Sequence, residues 1–198
     1  MPRNYDSKIS ANEYQLSYRN VKYPRLEFKT GSLLIVLPKG YKTSGELLEK
    51  YDRWITAKRE EIEKAVKMAK KLKLRRDRSR ENFRKVVDSA IEKDQRLLGV
   101  HINRVFYRKM NSKWGSLSSK GNLTLNPILE WLPDSSVRYV IFHEIAHSIS
   151  RKHDKPFWST VNSVFPNHKT IEKELFAYWF LVQETIESVD KTHIQEAK

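Results

Sequence analysis

Residues 143–153 read His143-Glu144-Ile145-Ala146-His147-Ser148-Ile149-Ser150-Arg151-Lys152-His153, and the spacing of the histidines in this stretch decides how the rest of the chain is read. His143 and His147 are four residues apart. On an α-helix that spacing turns about 40° and climbs about 6 Å, so both imidazoles leave one face. Two neutral imidazoles so placed can share one tetrahedral cation of borderline softness, which is the preference of Zn²⁺. Glu144 projects about one residue's rotation away. There it can reach a water beside such a cation without being a ligand, as a general base must.

The segment before it supports a helix. Asp134 follows Pro133 and can act as its N-cap. Val137, Val140, Ile141, Ile145 and Ile149 are spread over most of the circumference, which predicts a deeply buried helix. A charged glutamate in such a helix is costly unless something pairs with it, and a metal site would account for it. The competing reading is a buried helix with two satisfied histidines and a salt-bridged glutamate, because a motif with three fixed positions arises readily by chance. His153 weighs against that. It lies six residues beyond His147, the spacing at which a helix ends and the chain turns back to complete a three-histidine site. Metzincins use the same spacing, but they carry Gly where this chain has Ser150, and no methionine follows Met110 to make their Met-turn.

The flanks add two further motifs. Upstream stands Lys113-Trp114-Gly115-Ser116-Leu117-Ser118-Ser119-Lys120-Gly121-Asn122-Leu123-Thr124-Leu125-Asn126, and downstream His153-Asp154-Lys155-Pro156-Phe157-Trp158. Together with the histidine helix these resemble the YgjP-like metallopeptidase domain, a relative of the SprT-like proteases, over roughly residues 14–165. The resemblance implies an α+β fold with small antiparallel sheets, a zincin-type metallopeptidase core and a buried His-Glu-x-x-His helix. It implies a Zn²⁺-dependent peptidase with His143, His147 and His153 as metal ligands and Glu144 as catalytic base. It also makes residues 122–126 the candidate edge strand for holding an extended substrate. Many members carry Cys where this chain has Leu117, so any thiol contribution of that loop is absent. A second ligand set stays in view: gluzincins complete the site with a glutamate from a later helix, and Glu172 or Glu174 could play that part. The spacing and the Phe-Trp context favour His153.

Composition sets the remaining bounds. The chain of 198 residues contains no cysteine, so disulfides and thiolate metal sites are excluded and ligands must be His or carboxylate. The mean hydropathy is −0.68, and no apolar run is long enough to span a bilayer. With Met1-Pro2-Arg3-Asn4-Tyr5 lacking an apolar signal segment, the expectation is a soluble cytoplasmic protein without a membrane partner. The formal charge of +14 favours anionic partners, or equally a solvated, charge-rich surface. Lys64, Lys67, Lys70, Lys71, Lys73, Arg75, Arg76, Arg78, Arg80, Arg84 and Lys85 concentrate it. They read either as a phosphate-binding stripe for nucleic acid or as a solvated helix face with Glu–Lys pairs.

Along the chain, residues 13–37 predict antiparallel strands with a hairpin turn at Gly31-Ser32. Thr43 or Ser44 can cap a helix running to about Leu72. A second helix is expected from about Ser79 to Leu98, closed by Gly99. Val100–Met110 reads as a strand, and Gly121-Asn122 as a tight turn into the next. Pro156 can open a short helix that holds His153 in place. Residues 169–188 predict a terminal helix, with a frayed polar tail from Asp190. His101, His168 and His193 have no partner spacing and read as ordinary surface or turn histidines.

The expected organisation is a region of residues 1–100, with a β-hairpin and two basic helices, packed on a catalytic core of residues 101–198. The expected function is hydrolysis of peptide or protein substrates by a zinc metallopeptidase. The alternatives are a nucleic-acid-associated protein with a structural zinc site, or a protease acting on nucleic-acid-bound proteins.

Overall fold

A computed structural model describes residues 14–29, 32–41 and 45–196. The chain divides into two units, residues 1–67 and 68–198.

The first unit is built on its most apolar strand. β1 (Tyr14–Arg19), β2 (Arg25–Lys29) and β3 (Ser32–Pro38) form a sheet in the order β1-β3-β2. Leu33 to Leu37 are all buried. A strand apolar on both faces belongs at a sheet centre, and β3 takes it. The expected antiparallel pairing holds for β2 with β3, whereas β1 runs parallel to β3. The sheet is therefore mixed, which corrects the antiparallel expectation. Reading sequence neighbours as pairs overlooked that β3 separates the other two strands. The turn at Gly31 and the cap at Thr43 or Ser44 lie outside the described residues. Helix α1 (Gly45–Ala69) adds Leu47, Leu48 and Ile55 to a core with Leu33, Ile35 and Leu37.

The second unit holds the histidines. Helix α2 (Arg80–Leu98) starts at Ser79, whose side chain accepts the Asn82 N–H at 3.2 Å. It ends at Gly99 in the left-handed conformation, φ 64°, where glycine carries no Cβ penalty. The strand expected over 100–110 is confined to β4 (Arg104–Tyr107). With β5 (Gly115–Leu117) and β6 (Asn122–Leu125) it forms a second mixed sheet, ordered β4-β6-β5. β6 is parallel to β4 and antiparallel to β5. It has neighbours on both sides, so residues 122–125 offer no free edge to a substrate, and β4 and β5 are the edge strands.

Helix α3 (Asp134–Ala146) buries Val137, Tyr139, Val140, Ile141, Phe142 and Ile145, as its unbroken apolar circumference predicts. Asp134 does not cap it. Its carboxylate is instead held by Arg75 at 3.0 Å and by Arg78, still a favourable charge for a helix start. Helix α2, grouped with the N-terminal region in the sequence reading, packs against α3 in one core with Leu123, Leu125, Leu129 and Phe157. Helix α4 (Lys155–Val164) has Pro in its first turn, and Asp154 is its N-cap. Helix α5 runs His168–Glu196, so the helical backbone continues through the tail expected to fray. Among the described residues no helix is long and apolar enough to cross a membrane.

The basic cluster is partly committed inside this unit. Arg78 is buried and donates to the Leu132 carbonyl at 2.8 Å, Lys85 pairs with Glu81, and the Arg84 guanidinium lies over the Tyr107 ring.

Candidate metal centre

The site is assembled from three elements. α3 carries Tyr139, His143 and Glu144, with His147 at its C-cap. The following turn returns His153. β5 closes against the helix from the side. The turn is fixed locally: Asp154 accepts the Ser150 hydroxyl at 2.9 Å and the Phe157 N–H at 3.3 Å. Phe157 is fully buried, and its ring centroid lies 4.6–4.9 Å from those of all three imidazoles. Trp158 flanks His153 at 5.6 Å. The Phe-Trp pair thus has the packing role expected of it.

His143, His147 and His153 are brought together, with one ligand nitrogen from each lying within 4.8 Å of the others. The Nε2 atoms of His143 and His153 are 3.1 Å apart. Tetrahedral zinc with metal–nitrogen bonds near 2.1 Å sets its donors about 3.4 Å apart, so this pair fits a shared cation. His147 Nδ1 faces the Ser150 carbonyl at 3.0 Å. That contact orients the ring and leaves Nε2 as the nitrogen free to face a cation. Burial, reinforced by the other two rings, pushes the His143 pKa down to about 3, and burial also lowers that of His147. Both therefore stay neutral and able to bind metal at ordinary pH. Among the described residues, no fourth His, Asp or Glu joins the three.

Glu144 is not in this cluster. Burial pushes its pKa up to about 7, against the opposing pull of Lys113 and a hydrogen bond from the Leu117 N–H. β5 reaches this carboxylate because residue 115 is glycine. A Cβ there would stand 2.9 Å from Glu144 Cγ. The loop into β5 is pinned by Asn126, fully buried, whose Nδ2 donates to the carbonyls of Met110 at 2.8 Å and Lys113 at 3.0 Å. Arg151 donates to the Leu117 carbonyl at 3.3 Å. Trp114 packs on the core, edge-on to Trp179 at 5.0 Å, and lines the cleft.

The cleft has a volume of about 540 Å³ and takes in Lys113, Gly115, Leu117, the three histidines, Glu144, Arg151 and, from α5, Glu172, Leu175 and Phe176. Glu172, weighed above as a rival ligand, instead accepts a hydrogen bond from the Tyr139 hydroxyl at 2.9 Å. Glu174 is not among the residues lining the cleft. His168 is buried and stacked on Trp158 at 5.0 Å, not a surface residue, whereas His101 is exposed. The side chain of His193 lies outside the described residues.

No curated protein sequence matches the chain. Among solved structures it is similar to the metallopeptidase zymogen abylysin of Pyrococcus abyssi. Identity is 28% and the TM-score 0.43, over 46% of this chain and 93% of that one. It is also similar to the metallopeptidase zymogen jannalysin of Methanocaldococcus jannaschii, at 25% identity and a TM-score of 0.40, over 45% of this chain and 84% of that one. The family model described as YgjP-like, metallopeptidase domain, matches residues 63–178, a span of more than half the chain that includes every residue of the cleft. The chain belongs to the YgjP-like metallopeptidase family.

Proposed function

We propose that this chain is a zinc-dependent peptidase in which His143, His147 and His153 hold the ion and Glu144 is the general base. The observation that carries the reading is the convergence of three imidazole nitrogens within 4.8 Å, on a cleft also lined by Glu144, whose pKa burial raises to about 7. His143, His147 and His153 would hold the zinc ion, which would supply Lewis acidity toward the peptide carbonyl and toward a water. Glu144 takes the proton of the attacking water and returns it to the leaving nitrogen. The Leu117 N–H holds the carboxylate in place as it does so, and the charge of Lys113 favours its ionised form. β5, the edge strand beside α3, offers an extended peptide the backbone groups of Gly115, those of Leu117 being taken by Glu144 and Arg151. A purely structural zinc site would be closed by four protein ligands. Three histidines on an open cleft favour catalysis.

Two variants test the assignment. Glu144→Gln keeps its zinc by elemental analysis and loses peptide hydrolysis by at least about 10²-fold, while His143→Ala loses both. Full activity in Glu144→Gln would remove Glu144 as the base, and undiminished zinc in His143→Ala would remove the ligand set.

A further inference from the structure

The charge of the cleft is divided along α3. Lys113 and Arg151 line it near His147 and act on that ring, and Lys113 acts on Glu144 as well. At the other end, one turn before His143, Tyr139 holds Glu172 through Oε1. Glu172 is half-buried and lines both the cleft and an adjoining cavity of about 470 Å³ bounded by Trp158, Asn162 and His168.

This carboxylate has a neutral partner. The chain has 38 Lys and Arg against 24 Asp and Glu, and several other carboxylates of this unit are met by cations. Asp134 is held by Arg75 and Arg78, Glu81 by Lys85 and Glu92 by Arg96. Glu172 is bonded to a neutral phenol. Lys155 and Lys169 border the adjoining cavity, yet among the described residues neither pairs with it. Its neighbours on the cleft wall are the apolar Val140, Leu175 and Phe176. Metal binding does not account for it, since the histidine donors converge without it. A carboxylate offers about four acceptor positions, and the Tyr139 bond fills one. What remains is a carboxylate on an apolar wall, oriented from behind and, among the described residues, without a paired cation.

We infer that Glu172 is a recognition site for an organic cation of the peptide substrate, either the ammonium or guanidinium of a Lys or Arg side chain or a free α-ammonium group. The inference rests on the peptidase reading above and gives that cleft its specificity. The Tyr139 hydroxyl fixes the carboxylate, so little freedom is lost when the cation docks. The surrounding apolar side chains strengthen the charge-assisted bonds. Lys113 and Arg151, at the far end, repel the same group, so the cation is directed to the Tyr139 side of the bond to be cut.

The test uses the full-length, zinc-loaded Glu144→Gln variant, which binds peptides without cutting them. The probe is a short peptide, acetylated and amidated, with lysine or norleucine at each position in turn, beside a norleucine twin with a free N-terminus. At one position, lysine should tighten binding by about 10-fold or more. The preference should fall below about twofold in the Glu144→Gln/Glu172→Gln double variant at unchanged zinc content. Gain by the free-N-terminus peptide alone identifies the α-ammonium as the cation. Equal binding of every lysine, norleucine and free-N-terminus peptide while Glu172 is intact overturns the inference, as does loss of zinc on Glu172→Gln, which would make Glu172 a ligand. Cleavage by the wild-type chain is scored separately. Its failure counts against the peptidase reading, while the binding difference still decides the cation site.

Discussion

Gly115 shows how much of this site depends on an atom the chain lacks. Its absent Cβ would sit 2.9 Å from Glu144 Cγ, a separation that forces one of the two to move. Both are held: the strand by Asn126 and the pairing of Gly115 with Leu125, the glutamate by the Leu117 N–H. Gly115→Ala therefore displaces the carboxylate while the three histidines, all outside β5, keep their positions. The expected outcome is a fall in kcat of about 10²-fold, the usual cost of a misplacement near 1 Å, with zinc content unchanged by elemental analysis. Wild-type kcat in this variant would show that Glu144 has room to spare. The histidines were legible in the sequence because ligand spacing is local: two on one helix face and a third just past its end. Gly115 against Glu144 was not legible, nor Tyr139 with Glu172, because each pair is brought together by tertiary packing across about thirty residues. Glu172 was singled out as a possible ligand, since a carboxylate on a later helix is a visible pattern. Its bond to a tyrosine is not.

At the scale of elements, the interface of α2 with α3 contains a buried charge that periodicity did not predict. Asp94 is fully buried on the face of α2 that also carries Val87, Ala90 and Ile91. Neither of its oxygens has a hydrogen-bond partner, and the nearest cation, Arg138 of α3, stands off at 4.0 Å. Burial raises its pKa to about 6, against the weaker pull of Arg138 and Lys93. The folded form thus binds this proton more readily than the unfolded chain does. The penalty for the buried carboxylate is complete above pH 6, and it is relieved as pH falls from there toward the ordinary carboxylate range near pH 4. A shift of about two units corresponds to about 3 kcal/mol. Asp94→Asn should therefore be more stable than the wild type at about pH 8, by up to about 3 kcal/mol, with the gap closing toward about pH 4. Denaturant unfolding at the two pH values measures it, and a gap that does not change with pH would mean that Arg138 already neutralises the carboxylate. The ends of α2 are legible in the sequence, because Ser79 and Gly99 are local signals with local geometry. The sheets are less so. Strand order follows from which strand is apolar on both faces, and the alternation within a single strand does not reveal its neighbours.

For the whole molecule, the division at residues 67 and 68 separates two cores that draw on different parts of the chain. One takes Leu33, Ile35, Leu37, Leu47, Leu48 and Ile55, with Tyr14, Leu26, Phe28 and Tyr41 around them. The other, among the described residues, is built from Leu72 onward. Every residue lining the cleft falls within 113–176, and the loop ahead of α2 is tied into the second unit by Arg75 and Arg78 on Asp134 and by Arg78 on the Leu132 carbonyl. A segment with its own apolar core, its own helix caps and all of its site residues meets the physical requirements for folding alone. Residues 68–198 expressed without the rest should show helical circular dichroism with a cooperative thermal transition. They should bind one equivalent of zinc and cut the same peptide bonds as the full chain. If the fragment unfolds non-cooperatively or fails to bind zinc, the N-terminal unit supplies part of the stability of the site. If it binds zinc but has lost cleavage, that unit contributes to holding the substrate. The first outcome would be read from the melting curve and the second from hydrolysis at matched zinc content, so the two roles separate in one pair of measurements.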